Sequence, residues 1–236
     1  MKIDELKNVC VVGAGNMGHQ IALQCALCGF KTVSTDVIPA VLEKAEKFVD
    51  TYLAGRVAKG KLSEDAAKKA RSLISFTGDL KEAAKDADLV IEAVLERIDL
   101  KRKVFADLDK FAPANAILAT NSSFIVSSRI ADATNRPSQV CNLHFFNPAL
   151  VMKLVEVVQG PHVSDETAQC MMDFCLKIEK VPILSPLFST RNKKNERTEL
   201  IIAITPRVLR HKGADSTGEF LEKLKDLRRR VESQTM

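Results

Sequence analysis

Between residues 8 and 12 the chain reads NVCVV, an almost wholly apolar run that ends in a Gly-rich turn. Such a run suits a strand buried on both faces. Met17, Ile21, Leu23 and Leu27 then recur at helical spacing, and Gly29 stands where a helix would stop. KTVSTD predicts a second short strand ending at Asp36, and Pro39 opens a long helix reaching about Val57, because proline suits a first helical turn. Ser63 caps a further helix in KGKLSEDAAKKARSLI, and SFTGDL gives a third strand and a turn. ADLVIEAV is a fourth strand, followed by a helix from about Asp99 to Phe111, and NAILATNSS is a fifth strand running into a polar turn. QVCNLHFF and KLVEVVQG follow as strands six and seven, then a helix over roughly 165–178 and a last strand at VPIL.

Strands that alternate with helices, most of them apolar throughout, predict an α/β fold: a doubly wound, mostly parallel sheet with helices on both faces. No repeat of fixed period and no low-complexity tract interrupts it. The length of 236 residues is enough to bury a real core, and 46% apolar and 28% charged residues are ordinary for a globular protein. No run approaches the roughly 20 apolar residues that span a bilayer. The N-terminus enters a strand so soon that it leaves no room for a signal or transit peptide, which predicts a cytoplasmic protein.

Six cysteines lie scattered through apolar segments. Cys25 and Cys28 form a C-x-x-C, with no second pair and no histidine at ligand spacing, so buried reduced thiols are expected and no metal site. The formal charge of +5 is uneven: residues 1–185 hold 23 basic and 23 acidic residues, while residues 186–236 hold 12 and 7. A uniformly basic nucleic-acid surface is therefore not indicated, and the last fifty residues are marked as a different kind of sequence.

Gly13, Gly15 and Gly18, with Asn16 and Met17 between them, make a G-x-G-x-x-G between a strand and a helix. The first glycine permits the tight turn, the second lets backbone approach a pyrophosphate and the third allows close helix–strand packing. The helix N-terminus adds free N–H groups and a positive dipole. Asp36 follows Gly13 by 23 residues, near the spacing of an acid that binds the adenosine ribose hydroxyls. A carboxylate there would repel a 2′-phosphate, so NAD is expected rather than NADP.

The blocks VVGAGNMGHQIA, DLVIEAVLERIDLKRKVFADLDK, ATNSSFIVSSRIA and RPSQVCNLHFFNPALVMKLVEVV together resemble the 3-hydroxyacyl-CoA dehydrogenase family, specifically its NAD-binding Rossmann domain, over residues 6 to about 184. The resemblance implies an enzyme that oxidises the hydroxyl of an L-3-hydroxyacyl thioester, such as 3-hydroxybutyryl-CoA to acetoacetyl-CoA, and passes hydride to NAD. The residues agree with such chemistry. A base must take the hydroxyl proton, and histidine has a near-neutral reference pKa. His144 ends a strand beyond the switch point of the sheet, where ligands of such folds collect. The Asn-Pro turn can send KLVEVV back alongside and bring Glu156 to the imidazole, and a buried carboxylate there would fix the tautomer and stabilise the imidazolium.

The resemblance assigns further roles position by position. Ser123 matches the serine that hydrogen-bonds the substrate oxygen, and Asn147 the asparagine that shapes the same pocket. Glu96 and Lys101 match residues near the nicotinamide ribose and amide, and Asn121 lines the cofactor. The plain alternatives are a helix cap for Ser123, a surface ion pair for Glu96 and Lys101, and a turn former at Asn121. Lys59 and Lys61 fall where the family contacts the nucleotide end of coenzyme A, and a solvated helix end is the alternative there.

Beyond KVPI the family continues with a Ser-Pro-Gly-Phe type segment and an all-helical domain that closes the substrate site and forms the dimer. Here Ser185, Pro186 and Phe188 persist, Leu187 replaces the glycine, and the rest diverges. Two domains are therefore expected: 1–185, binding NAD, and 186–236, a divergent basic tail in place of the helical domain, its STGEFLEKLKDLRRRVES an amphipathic helix. The family's homodimer is in doubt without that domain. The leading expectation is an NAD-dependent 3-hydroxyacyl-CoA dehydrogenase of fatty acid metabolism. The alternative is a dinucleotide-binding structural or interaction protein with little catalysis. The basic stretch KLKDLRRR is read as a solvated helical face rather than a nucleic-acid or membrane contact.

Overall fold

The computed structural model describes residues 1–186, within a compact unit spanning Met1–Ser189. The chain order is β1 (Asn8–Val12), α1 (Gly18–Leu27), β2 (Lys31–Thr35), α2 (Pro39–Ala58), α3 (Glu64–Leu73), β3 (Ile74–Thr77), α4 (Leu80–Ala84), β4 (Leu89–Glu92), α5 (Ile98–Phe111), β5 (Ile117–Thr120), β6 (Val140–Phe145), β7 (Leu154–Gln159), α6 (Asp165–Lys177) and β8 (Val181–Pro186). All the strands form one sheet in the order β3-β2-β1-β4-β5-β6-β7-β8. Strands β1 to β6 run parallel, β7 runs antiparallel to β6, and β8 is parallel to β7. The order reverses between β1 and β4, which opens a crevice at the carboxyl ends of those strands.

Strand residues alternate between two cores because successive side chains point to opposite faces. Val9, Val11, Leu89, Ile91, Ile117 and Ala119 pack with α1, α2, α3 and α6. Cys10, Val12, Val90, Leu118 and Val140 pack on the other face with Phe105 and Leu108 of α5. Both sides of the central strands are thus covered, which explains why their sequences are apolar throughout.

The helix ends follow local chemistry. Ser63 accepts a hydrogen bond from Ala66 N–H at 3.2 Å, as expected of the cap, and Ser164 does the same for Thr167 at the start of α6. Gly29 takes a positive φ of 92° after α1, with Gly29 N–H to Ala26 O and Phe30 N–H to Cys25 O closing the last turn. The sequence reading has no helix over 80–84. Five residues are too few to show a period, and α4 is held by Asp79, whose carboxylate accepts from the N–H groups of Lys81 and Glu82.

All six cysteines are free and only Cys28 is partly exposed; burial pushes the Cys10 thiol up to about 12. Among the described residues no helix is long and apolar enough to cross a membrane, and no cluster of three or more His, Cys, Asp or Glu is arranged to hold a metal ion. The divergent tail, its amphipathic helix and the dimer expectation all concern residues outside those described.

Candidate active site

Two clefts meet at the phosphate loop. Gly13 has φ +93°, and a Cβ there would lie 2.7 Å from Ala93 O; at Gly18 it would lie 1.7 Å from Gly13 O. Both positions are closed to any side chain. A Cβ on Gly15 would instead meet nothing within 4 Å, so the space over the loop is open at the point where a pyrophosphate must approach backbone. No side chain caps α1, which leaves its N-terminal N–H groups available to an anion. The loop therefore fits a dinucleotide.

Asp36 stands at the end of β2, its Oδ2 accepting from Ala14 N–H at 2.9 Å and its Oδ1 from Ile38 N–H at 3.0 Å. It borders an apolar cleft of about 330 Å³ together with Gly13, Val41, Leu80 and Leu100, suited to a flat aromatic base. On the far side of Gly15 a cleft of about 480 Å³ is bordered by Asn16 and Met17 from the loop and by Glu96, Lys101 and Asn121. Ser123, His144 and Asn147 line the same cleft. The two clefts share Gly15, Ala93, Val94 and Leu95, so they form one crevice bent around the loop.

His144 and Glu156 face each other across the β6–β7 hairpin in antiparallel register. His144 Nδ1 lies 3.4 Å from Glu156 Oε2, at the long end for a hydrogen bond, and the Phe146 ring lies 4.7 Å from the imidazole. The expectation of a buried carboxylate is corrected: the Glu156 side chain is 36% exposed, against 19% for His144. Val155 and Val157 turn into the core under α6, which leaves Leu154, Glu156 and Val158 on the other, partly open face of β7. Burial of the pair therefore falls short of a water-free setting.

Asn16 Nδ2 donates to Asn147 Oδ1 at 3.3 Å, linking the glycine loop to the turn after His144. Asn121 Oδ1 accepts from Phe145 N–H at 2.9 Å and so ties the end of β5 to the strand end that carries His144. Ser123 is exposed in the cleft. Its neighbour Ser122 is committed elsewhere, its hydroxyl bonded to Glu96 and accepting from Ile125 N–H.

Glu96 and Lys101 do pair, but only one partner is at the surface: the Glu96 side chain is 41% exposed and the lysine is sealed from solvent. Lys101 is 1% exposed and its ammonium lies 3.3 Å from Glu96 Oε2. Burial opposes ionisation of Glu96, but the Ser122 hydroxyl, the Lys101 charge and the Ile125 N–H together hold its carboxyl below the usual range. Lys59 and Lys61 are not brought to this crevice. Both are exposed around the turn between α2 and α3, and neither lines either cleft.

Sequence reasoning missed three groups. Glu92, wholly buried at the end of β4, accepts from Lys101 Nζ at 2.7 and 2.9 Å, from Thr120 Oγ1 at 2.7 Å and from Val94 N–H at 2.7 Å. An acid inside the apolar VIEAV was a usable signal, since a charge in a buried strand demands a partner. Asn142 holds the loop beyond β5, donating to Ser122 O and Ile125 O and accepting from Ser127 N–H. Lys180 is buried and donates to Ala149 O and Met152 O in the turn after His144, and desolvation lowers its pKa.

A doubly wound sheet with a glycine loop at its switch point and an imidazole in the adjoining crevice has the architecture of a dinucleotide-binding domain. Residues 8–186 match the family described as 3-hydroxyacyl-CoA dehydrogenase, NAD binding domain, and the chain belongs to that family. It is 41% identical over 179 residues to a probable 3-hydroxybutyryl-CoA dehydrogenase of Bacillus subtilis, covering 76% of this chain and 62% of that one. It is 38% identical over 184 residues to the mitochondrial hydroxyacyl-coenzyme A dehydrogenase of the mouse, covering 75% and 58%. The chain thus spans about three fifths of the length of these relatives. Among solved structures, the 3-hydroxybutyryl-CoA dehydrogenase of Escherichia coli K12 superposes with TM-score 0.75 at 35% identity, over 77% of this chain and 38% of that one. The (S)-3-hydroxybutyryl-CoA dehydrogenase of Ralstonia eutropha gives 0.74 at 34% identity, over 77% and 64%.

Proposed function

We propose that the chain interconverts the 3-hydroxyl and 3-keto forms of an acyl-CoA thioester, using NAD. NAD, when bound, supplies the hydride acceptor for C3. The glycine loop and the α1 N-terminus hold the pyrophosphate, Asp36 the adenosine ribose, and Glu96, Lys101 and Asn121 flank the nicotinamide end. His144 takes the hydroxyl proton at Nε2 as the C3 hydrogen departs with its electron pair, leaving a ketone and an imidazolium. Glu156 holds Nδ1–H and stabilises that imidazolium. Ser123 and Asn147 hold the substrate oxygen at the mouth of the cleft.

The observation that carries this reading is the His144–Glu156 register, which sets an oriented imidazole on the cleft that also contains Asn16 and Lys101. Short thioesters are favoured as substrates because the relatives quoted include enzymes named for 3-hydroxybutyryl-CoA. The test is oxidation of NADH on addition of acetoacetyl-CoA to the full chain, followed at the nicotinamide absorbance. Sustained turnover supports the proposal, and loss of NADH with no thioester dependence contradicts it.

A second reading is a dinucleotide-binding protein with little catalysis. The exposure of Glu156, 36% at the side chain, favours it. NADH binding without thioester-dependent turnover would support that reading.

A further inference from the structure

Glu156 has a second contact, on the side away from the histidine. It lies opposite His144 of β6 and, on its other flank, beside Ile183 of β8. Ser185 follows Ile183 by two residues, so the strand pleat returns its side chain to the same face. Its hydroxyl donates to Glu156 Oε1 at 2.7 Å, while Oε2 faces His144 Nδ1 at 3.4 Å. The two carboxylate oxygens are divided between the strands on either side of β7.

A half-exposed glutamate has several rotamers open to it, and a 3.4 Å contact to an imidazole is too long to select one of them. A hydroxyl on a carboxylate at 2.7 Å is a strong, charge-assisted bond that does select one. We propose that Ser185 is a positioning residue: by holding Oε1 from β8, it presents Oε2 to His144 and so keeps the imidazole aimed at the cleft. His144, Glu156 and Ser185 then act as one row across three adjacent strands. The kinetic part of this inference rests on the reading of His144 as the base.

The full chain tests it with Ser185→Ala, Ser185→Thr, Glu156→Gln and the double variant Ser185→Ala/Glu156→Gln. In Ser185→Ala the maximal rate with acetoacetyl-CoA falls roughly 3- to 10-fold, with the NADH dissociation constant and melting temperature unchanged, and Ser185→Thr restores most of it. The double variant is no slower than Glu156→Gln alone, because the serine acts only through the carboxylate. An unchanged rate in Ser185→Ala overturns the proposal, as does full additivity in the double variant. Crystal structures of the wild type and Ser185→Ala give a reading independent of turnover. The variant's carboxylate swings away, taking Oε2 beyond about 4 Å from Nδ1. If it stays in place the proposal fails, even for a chain that shows no activity at all. Absence of turnover with a displaced carboxylate overturns the functional reading and leaves the positioning role standing.

Discussion

Lys101 of α5 and Glu92 at the end of β4 form an ion pair sealed from solvent, 1% and 0% exposed, with the ammonium 2.7 and 2.9 Å from the two carboxylate oxygens. Thr120 and Val94 N–H complete the carboxylate's hydrogen bonds, so the cost of burying the charge is offset by a full set of partners. The pair fixes Lys101 at the floor of the cleft, where it also meets Glu96.

Removing one partner should leave the other charge uncompensated. Glu92→Ala is expected to destabilise the fold by about 3–5 kcal/mol, read from urea unfolding, and to weaken NADH binding. The double change Glu92→Leu with Lys101→Met should recover much of the stability and none of the binding. A Glu92→Ala variant as stable as wild type would show that the pair does not hold this corner together.

The two glycines differ in what they tolerate. Gly18→Ala puts a methyl 1.7 Å from Gly13 O and should disrupt the loop itself, lowering the melting temperature. Gly15→Ala meets no atom within 4 Å apart from its own chain neighbours, so the fold should persist while NADH affinity falls by at least about tenfold, since the methyl occupies the path of the pyrophosphate. Fluorescence titration beside thermal unfolding separates the two. A Gly15→Ala protein that binds NADH normally would remove the pyrophosphate from this loop.

Glu96 gives a signed pH dependence. Its folded-state pKa lies below the ordinary value because the Ser122 hydroxyl and Lys101 outweigh its partial burial. As the medium is acidified the unfolded chain therefore takes up this proton first, and folding loses stability. The contribution is complete above the ordinary carboxylate range and is lost as pH falls through the lower folded value. Unfolding free energies measured across the acid range should fall less steeply in Glu96→Gln than in wild type. Parallel slopes would mean that the network leaves Glu96 unshifted.

Helix α6 ends as α1 does, with Glu179 N–H to Leu176 O and Lys180 N–H to Cys175 O, yet Glu179 holds φ 58° where α1 uses Gly29. A side chain in that left-handed region costs about 1 kcal/mol or more relative to glycine. Glu179→Gly should therefore raise the melting temperature. A lower one would mean that the glutamate side chain contributes more than its backbone strain costs.

Patterning alone exposed the fold where each strand is long and apolar, and the glycine spacing with Asp36 pointed to the crevice that the two clefts form around the loop. The Asn-Pro turn foretold the hairpin that pairs His144 with Glu156, because reversal at that turn brings positions of matching phase together. What stayed hidden depends on distant partners. Ser122 reads like Ser123 until the fold shows that only the first is bonded to Glu96. The exposure of Glu156 depends on which face of β7 is covered, which a strand's own alternation cannot say. Lys59 and Lys61 were charges at plausible sequence positions, and only the path of α2 shows that they line neither cleft.

The proposed role of His144 as the base is tested most directly by single-turnover oxidation of NADH by acetoacetyl-CoA in wild type and in His144→Gln. The rate should fall by roughly 10²- to 10⁴-fold while the NADH dissociation constant stays within about twofold. Equal rates in the two proteins would contradict the assignment.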